Sequence, residues 1–139
     1  MSVLVAESGA LYALYDADDD HHGAVAAVHE RGPIVVPMAI LGELDYLLRE
    51  FLGVDAELDF LDSVASGAFV LEPMTEADVK RCREILARYR DLDLGLADAA
   101  VMATAERLRT DRILTVDERD FRAVVSKTGR PFVLFPADC

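Results

Sequence analysis

Short apolar runs alternate with helical patterns from one end of this chain to the other. Each run spans three to five residues, and segments long enough for helices separate them. Strands that alternate with helices form right-handed βαβ units, whose helices cover both faces of a parallel sheet. The sequence therefore predicts a three-layer α/β/α fold with a central, mostly parallel sheet of about five strands, at residues 3–6, 34–36, 68–71, 112–116 and 132–135.

The clearest helical pattern follows the second predicted strand. Apolar residues recur there at the spacing of one helix face, at Ile40, Leu41, Leu44, Leu47, Leu48 and Phe51. Pro37 is suited to the first turn of this helix, because proline has no N–H to leave unpaired. Thr75 and Asp78 stand at the spacing of a capping box. We find no linker or repeat, so residues 1–139 are predicted to form one domain.

The chain is acidic, with a formal net charge of −12. This charge argues against a nucleic-acid partner, since phosphate binding depends on basic side chains. The distribution is uneven, however. Residues 1–79 carry two arginines against sixteen acids, whereas residues 80–139 carry twelve basic side chains against ten acids. The second part therefore presents either solvated helix faces or a basic rim beside an acidic centre.

The sequence also bears on the cellular compartment. No apolar run approaches the roughly 18 residues that a membrane-spanning helix requires. The amino terminus lacks the basic segment with which a signal peptide begins. Cys82 falls on an apolar helix stripe and Cys139 is the last residue, so the two cysteines form no redox or zinc motif. We therefore expect a soluble protein of the cytoplasm without a membrane partner.

Three acidic residues stand at strand ends or helix starts, where α/β proteins gather polar groups around a ligand. Glu7 follows the first strand, Asp98 lies in the first turn of a helix, and Asp117 follows the fourth strand. Right-handed crossovers place the carboxyl ends of parallel strands along one edge, so Glu7 and Asp117 are expected to lie on the same edge. Neighbouring carboxylates repel each other unless a cation lies between them. Asp98 is surrounded by apolar residues, where a charge is costly unless it is paired. Glu7 and Asp117, taken singly, are also explained as helix caps, and Asp120 can cap the same short helix as Asp117.

The long helix after the second strand contributes a fourth acid, which periodicity does not identify. Glu43 and Asp45 lie at opposite margins of its apolar stripe. Either of them can face the predicted cluster. The choice therefore stays open on the residue pattern alone.

Other motifs are weaker. His21 and His22 have no third ligand at a useful spacing, so a zinc site is not expected. In a receiver domain the acidic residues follow a strand. The acidic run at residues 18–20 does not, so a receiver domain is not expected. No glycine-rich phosphate loop is present. The chain contains the residue types of a Ser–His–Asp triad, but its serines do not stand in the sequence pattern of a nucleophile elbow.

Four segments taken together resemble the PIN-domain family, and within it the VapC-type toxins of toxin–antitoxin pairs. They read VLVAESGALYAL, GELDYLL, GLADAAVMATA and ILTVDERDF, in that order along nearly the whole chain. The family carries an Asp directly after its first strand, where this chain has Glu7. Its second acid, a Glu on the helix after strand two, matches Glu43. The third and fourth acids match Asp98 and Asp117.

The resemblance implies a PIN-like fold and a Mg²⁺- or Mn²⁺-dependent endoribonuclease. Hard divalent ions take oxygen ligands and activate water for attack on phosphorus. On this resemblance Glu7, Asp98 and Asp117 bind the metal, and Glu43 binds a second ion or orients the water. Thr115 matches the accompanying hydroxyl that holds a carboxylate in place. The resemblance further implies an RNA substrate, a VapB-type antitoxin that covers the acidic pocket, and a homodimer.

Glu7 departs from the family pattern. Its extra methylene moves the carboxylate by more than about an ångström, and Mg²⁺ is strict about ligand geometry. Three interpretations are open: a natural variant that still binds metal, a weakened enzyme, or a deliberate substitution that tames a toxic protein. The alternatives to a ribonuclease toxin are a PIN-like binding module with impaired or no catalysis and a metal-dependent phosphatase for a small molecule.

Overall fold

The computed structural model describes residues 3–29 and 31–139. Five short strands form one sheet in which all neighbouring strands are parallel. The strands are β1 (Leu4–Ala6), β2 (Ile34–Pro37), β3 (Val70–Glu72), β4 (Arg112–Leu114) and β5 (Val133–Phe135). Their spatial order is β3-β2-β1-β4-β5. The predicted parallel sheet of five strands is confirmed.

Seven α-helices in the described ranges complete the three-layer α/β/α arrangement. They are α1 (Ser8–Tyr15), α2 (His22–His29), α3 (Leu41–Leu52), α4 (Val54–Ala65), α5 (Glu76–Arg88), α6 (Leu96–Arg107) and α7 (Glu118–Ala123). Two short 3₁₀ helices occur at Met38–Ile40 and Arg90–Leu92. In this described part of the chain, no helix has the length and apolar character needed to cross a membrane.

The strand order creates a topological switch point between β1 and β4. The chain moves from β1 to β2 and β3 on one side, whereas β4 and β5 lie on the other side. Open parallel sheets bind ligands outside the carboxyl ends of their strands at such a point. The Glu7 N–H donates to the Leu114 carbonyl at 3.0 Å, which joins the ends of these two strands. Acids that follow β1 and β4 therefore share one edge, as the sequence predicted.

Helix α6 is almost entirely buried because its small side chains allow it to approach the sheet closely. It contacts β1, β2 and β4. Its buried face consists of Ala99, Ala100, Val101, Met102, Ala103, Thr104 and Ala105. Asp98 lies in the first turn of this helix. The packing of α6 against the sheet, rather than a loop, therefore sets the position of that carboxylate.

Two predictions near α3 were wrong. Pro37 ends β2 instead of beginning a helix: its ψ is 134° and it pairs with Glu72 of β3. A 3₁₀ turn at Met38–Ile40 then precedes α3. Proline has a φ near −65° that suits extended and helical residues alike, so the sequence does not separate the two. Phe51 of the predicted apolar stripe is 64% exposed, and its ring meets Tyr12 edge-on at 6.3 Å.

Arg107 ties the end of α6 to the start of α5. Its guanidinium donates to Asp78 at 3.0 and 3.1 Å, to Glu72 at 2.8 Å and to the Pro73 carbonyl at 3.2 Å. Asp78 also completes the capping box with Thr75, which confirms that prediction. Burial raises the pKa of Asp78, but the hydrogen bonds from Arg107 and Thr75 outweigh burial and hold it below its ordinary value.

We expect Arg107→Gln to lower the free energy of unfolding by about 2 kcal/mol, because the buried Asp78 carboxylate loses its cation. A carboxyl whose folded pKa is lowered stabilises the protein above its unfolded pKa, and this contribution is lost as the pH falls. The difference from wild type should therefore shrink in acid. Urea unfolding at neutral and acidic pH measures it. Arg83→Gln, at an exposed arginine without a described partner, should cost less than about 0.5 kcal/mol; equal losses would contradict the expectation.

Candidate active site

Glu7 is a buried carboxylate that caps α1, and only 8% of the residue is exposed. Its Oε2 accepts from the Gly9 N–H at 2.9 Å. Its Oε1 accepts from the N–H groups of Ala10 at 2.9 Å and Val116 at 3.4 Å. Burial raises the pKa of Glu7, and these N–H groups together with the Thr115 hydroxyl oppose that effect. Backbone donors of α1 and the β4–α7 turn therefore hold this carboxylate in place.

Gly9 leaves the space that the Glu7 side chain occupies. A Cβ at Gly9 would lie 2.9 Å from Glu7 Oε1, closer than real Cβ contacts, so the carboxylate would have to move. We expect Gly9→Ala to lower the free energy of unfolding by about 1–2 kcal/mol, since the cap of α1 is lost. Gly23→Ala is the control, because a Cβ there meets nothing within 4 Å.

The control should stabilise the protein by up to about 1 kcal/mol, as alanine does at an open helical position. Thermal unfolding of the two variants therefore gives shifts of opposite sign. A stabilised Gly9→Ala protein would contradict the packing of Glu7 over Gly9.

Glu43 is the acid of α3 that reaches this site. The Ser8 hydroxyl donates a hydrogen bond to the Glu43 carboxylate and so connects the first turns of α1 and α3. Asp45 lies instead beside Glu57 of α4, where its hydrogen bond raises the pKa of that carboxyl. The structure thus brings Glu43, and not Asp45, next to the residue that follows Glu7.

Thr115 and Asp117 form a turn between β4 and α7. The buried Thr115 hydroxyl accepts from the Asp117 N–H at 2.9 Å and donates to the Asp117 carbonyl at 3.4 Å. Asp117 caps α7, and its Oδ1 accepts from the Asp120 N–H at 3.5 Å. β4 ends at Leu114, two residues before the predicted end, and the Val116 N–H donates to the Glu7 carboxylate instead of to a neighbouring strand.

Asp98 shows that the carboxylates of the site act on one another. Its pKa is raised from 3.8 to about 6, first by burial and then by the negative charges of Glu7, Asp117, Asp120 and Glu43. The other three acids named by the family resemblance are therefore all within electrostatic reach of Asp98. We refer to Asp98 and the four acids that act on it, Glu7, Glu43, Asp117 and Asp120, as the acidic cluster.

Asp120 is the member of the acidic cluster that the sequence analysis considered only as a helix cap. Its Oδ1 is buried and has no hydrogen-bond partner among the described residues. The Nε atom of Arg119 lies 3.7 Å from this oxygen, but the Arg119 side chain is 84% exposed. The spacing of Asp117 and Asp120 was the available signal, since acids three residues apart at a helix start face the same side.

Within residues 3–29 and 31–139, no group of three or more Asp, Glu, His or Cys side chains is already arranged to hold a metal ion. Both oxygens of Glu7 accept hydrogen bonds from backbone N–H groups, at 2.9 Å from Gly9 and Ala10. The donor chemistry nevertheless fits a hard divalent cation, which prefers carboxylate oxygens. The buried Oδ1 of Asp120 provides a further oxygen, which accepts no hydrogen bond from the described residues and has only the exposed Arg119 side chain nearby.

The chain is similar to proteins of one family over most of its length. The family model described as the PIN domain matches residues 4–127. Ribonuclease VapC26 of Mycobacterium tuberculosis is 36% identical over 135 residues, which cover 96% of this chain and 100% of that relative. The chain therefore belongs to the PIN-domain family, in its VapC branch. This confirms the resemblance carried by the four sequence segments.

Solved structures share the fold at low sequence identity. VapC20 of Mycobacterium tuberculosis, described as a toxin that cleaves the sarcin-ricin loop, has a TM-score of 0.77 at 21% identity, over 84% of this chain and 91% of that one. A toxin–antitoxin complex from Klebsiella pneumoniae has a TM-score of 0.69 at 16% identity, over 87% and 92%. VapBC2 of Rickettsia felis, bound to promoter DNA, has a TM-score of 0.67 at 12% identity, over 88% and 93%. These matches confirm the three-layer architecture.

Proposed function

We propose that this protein is a divalent-metal-dependent endoribonuclease and the toxin of a toxin–antitoxin pair. The observation that carries the proposal is the acidic cluster at the switch point of the sheet, where burial and four neighbouring carboxylates raise the pKa of Asp98 to about 6. Such an arrangement is unfavourable without a cation and suits one that binds there. The ribonuclease that is 36% identical to this chain supports RNA as the substrate.

Glu7, Asp98 and Asp117 would hold the cation, which we propose to be Mg²⁺ or Mn²⁺. A bound divalent ion would lower the pKa of the attacking water and neutralise charge on the leaving oxygen of a phosphodiester. Glu43 would hold a second ion or orient the water. The Thr115 hydroxyl keeps the β4–α7 turn closed through the Asp117 N–H, and thereby positions the carboxylate of Asp117.

We expect Asp120→Asn to weaken Mn²⁺ binding about tenfold, because the buried Oδ1 contributes negative charge and a free oxygen to the site. Calorimetric titration of the purified protein with Mn²⁺ measures the change. Glu118→Gln is the matched control, since it removes one acid from the same helix at an exposed position outside the acidic cluster. Equal Mn²⁺ affinities of the two variants would exclude Asp120 from the site.

We further propose that an antitoxin of the VapB type covers the acidic cluster, and that the toxin acts in the cytoplasm as a homodimer. Toxin–antitoxin complexes among the proteins of the same fold support the partner. From residue 80 onward the chain carries twelve basic side chains against ten acids. This part can provide positive charge beside an RNA groove, which phosphate binding requires. Light scattering of the purified protein tests the dimer.

The test of the function is an RNA cleavage assay with added Mn²⁺ or with chelator. We expect internal cleavage of RNA with the metal and none with the chelator. Tight metal binding without RNA cleavage would instead favour a PIN-like binding module, in which Glu7 prevents the metal geometry that catalysis requires. Release of phosphate from small phosphomonoesters, with RNA left intact, would favour a phosphatase.

A further inference from the structure

A polar cavity lies at the opposite edge of the sheet from the acidic cluster. It has a volume of about 570 Å³ and is lined by Glu106, Arg109, Thr110, Asp111, Ser126, Thr128 and Arg130. Thr110 and Asp111 immediately precede β4, and residues 126–130 form the loop before β5. The cavity therefore opens at the amino ends of these strands, whereas the acidic cluster follows carboxyl ends. We call it the amino-edge cavity.

Two arginines give the amino-edge cavity its charge. The chain has a net charge of −12, and most of its arginines interact with an acidic or aromatic side chain. The ion-paired arginines are Arg49, Arg81, Arg107, Arg119 and Arg122, and those over aromatic rings are Arg88 and Arg112. The guanidinium groups of Arg109 and Arg130 have no described ion pair or hydrogen bond. Glu106 does not neutralise them, because Arg81 holds it with two hydrogen bonds of 2.7 and 3.0 Å.

The backbone at Arg109 indicates that the side chain there has a role. Arg109 has a φ of 58°, in the left-handed region that favours glycine. The N–H groups of Arg109 and Thr110 bond back to the carbonyls of Glu106 and Ala105, at 3.1 and 3.0 Å. This is a Schellman motif, whose left-handed residue is usually glycine. An arginine at this position costs stability, and its guanidinium faces the cavity.

The opposite wall of the cavity is also ordered. The Lys127 N–H donates to Glu106 at 2.6 Å and ties the loop to α6. Within the loop, the Gly129 N–H bonds to the Ser126 carbonyl at 2.8 Å, and the Thr128 hydroxyl contacts the Ser126 hydroxyl at 3.3 Å. The loop, which its own hydrogen bonds hold in shape, therefore presents two hydroxyl groups and Arg130, while Arg109 follows the end of α6.

We propose that the amino-edge cavity binds a nucleotide through its phosphate. Arginine forks match phosphate oxygens in pairs, and the Ser126 hydroxyl, which accepts from the Thr128 hydroxyl, adds a donor. The Asp111 carboxylate has no partner among the described side chains. This carboxylate would accept hydrogen bonds from the sugar hydroxyls or from an amino group of the base. A site that binds only inorganic phosphate has no use for such an acceptor. The volume falls within the range of small-ligand pockets.

The nucleotide comes from one of two sources, a free mononucleotide or a segment of an RNA chain. The site is separate from the acidic cluster, so this proposal does not rest on the proposed cleavage. It also predicts that binding persists in chelator, when no divalent metal is present. Binding at the amino edge is thereby distinguished from binding at the acidic cluster.

The test uses the purified protein in chelator, titrated with 5′-AMP, inorganic phosphate and a short single-stranded RNA whose integrity is checked afterwards. The variant Arg109→Gly/Arg130→Gln removes both guanidinium groups, and its glycine relieves the left-handed position. Thermal unfolding should therefore show a variant at least as stable as wild type. Arg31→Gln/Arg83→Gln loses the same charge at exposed residues that do not line the cavity.

We expect the first variant to weaken nucleotide binding by at least about tenfold, and the control by less than about twofold. Loss of 5′-AMP binding identifies a mononucleotide site, whereas loss of RNA binding alone identifies a segment of the chain. Three results would overturn the proposal: no binding of either nucleotide probe to wild type, equal effects of the two variants, or inorganic phosphate bound as tightly as 5′-AMP.

Discussion

Replacing Asp98 with asparagine is expected to reduce RNA cleavage at least about 100-fold and to raise the melting temperature of the metal-free protein. The first effect follows because the variant lacks a carboxylate that we assign to the metal. The second follows from the pKa of about 6, since a partly buried acid near four others destabilises the fold once it is ionised. One substitution therefore separates activity from stability.

The pH dependence of the stability effect has a definite sign. The folded pKa of Asp98 is above its ordinary value of 3.8, so the folded protein binds this proton more tightly than the unfolded chain. Stability from this residue is present below about pH 4 and is lost as the pH rises through about 6. The gain in Asp98→Asn should therefore be absent in acid and largest above about pH 6. Thermal scans in chelator across this range measure it.

Asp62→Asn is the control for both effects, because Asp62 is an exposed acid of α4 outside the acidic cluster. It should leave cleavage unchanged and the melting temperature nearly so. A cleavage rate that Asp98→Asn leaves intact would remove Asp98 from the catalytic site. A melting temperature that falls in Asp98→Asn would contradict the repulsion within the acidic cluster.

Glu7→Asp is expected to raise Mn²⁺ affinity and RNA cleavage by at least about tenfold. Aspartate is a preferred helix cap, so the shorter side chain can still accept from the Gly9 and Ala10 N–H groups. It also returns the first acid to the length that the family carries, which suits an ion with strict ligand geometry. Calorimetry and the cleavage assay, run on the same preparations, measure the two quantities.

Glu7→Gln is the matched control for that variant. It keeps the length of the side chain and one accepting oxygen but removes the charge, so Mn²⁺ affinity and cleavage should both fall. Unchanged affinity and cleavage in Glu7→Asp would show that the longer acid is already a competent ligand, and the interpretation as a weakened enzyme would be wrong.

The fold was readable from the sequence because its signals are local. Apolar runs too short for helices, separated by helical patterns, specify βαβ units, and parallel strands place their carboxyl ends along one edge. That rule correctly put Glu7 and Asp117 at the same edge. Element boundaries depended on details that the pattern does not contain, such as the extended ψ of Pro37 and the hydrogen bond from the Val116 N–H to Glu7 just after β4.

The details of the site needed three-dimensional contacts. The helical wheel left Glu43 and Asp45 equivalent, and only the hydrogen bond from Ser8 distinguishes them. Glu7 caps α1, as the sequence allowed, but its burial and the hydrogen bond from the Val116 N–H depend on the fold. The sequence did not predict the buried oxygen of Asp120, because either Asp117 or Asp120 alone accounts for the start of α7 as its cap. The assignment of the acids to a metal remains a proposal drawn from the family and from their mutual repulsion.

Calorimetric titration of the wild-type protein with Mn²⁺, compared with Asp98→Asn, tests the central claim most directly. We expect wild type to bind Mn²⁺ at neutral pH, and binding to weaken at least about tenfold in the variant. Binding should also weaken below the Asp98 pKa of about 6, where protons compete with the ion. Absence of binding to wild type, or binding that Asp98→Asn leaves unchanged, would contradict a metal site in the acidic cluster.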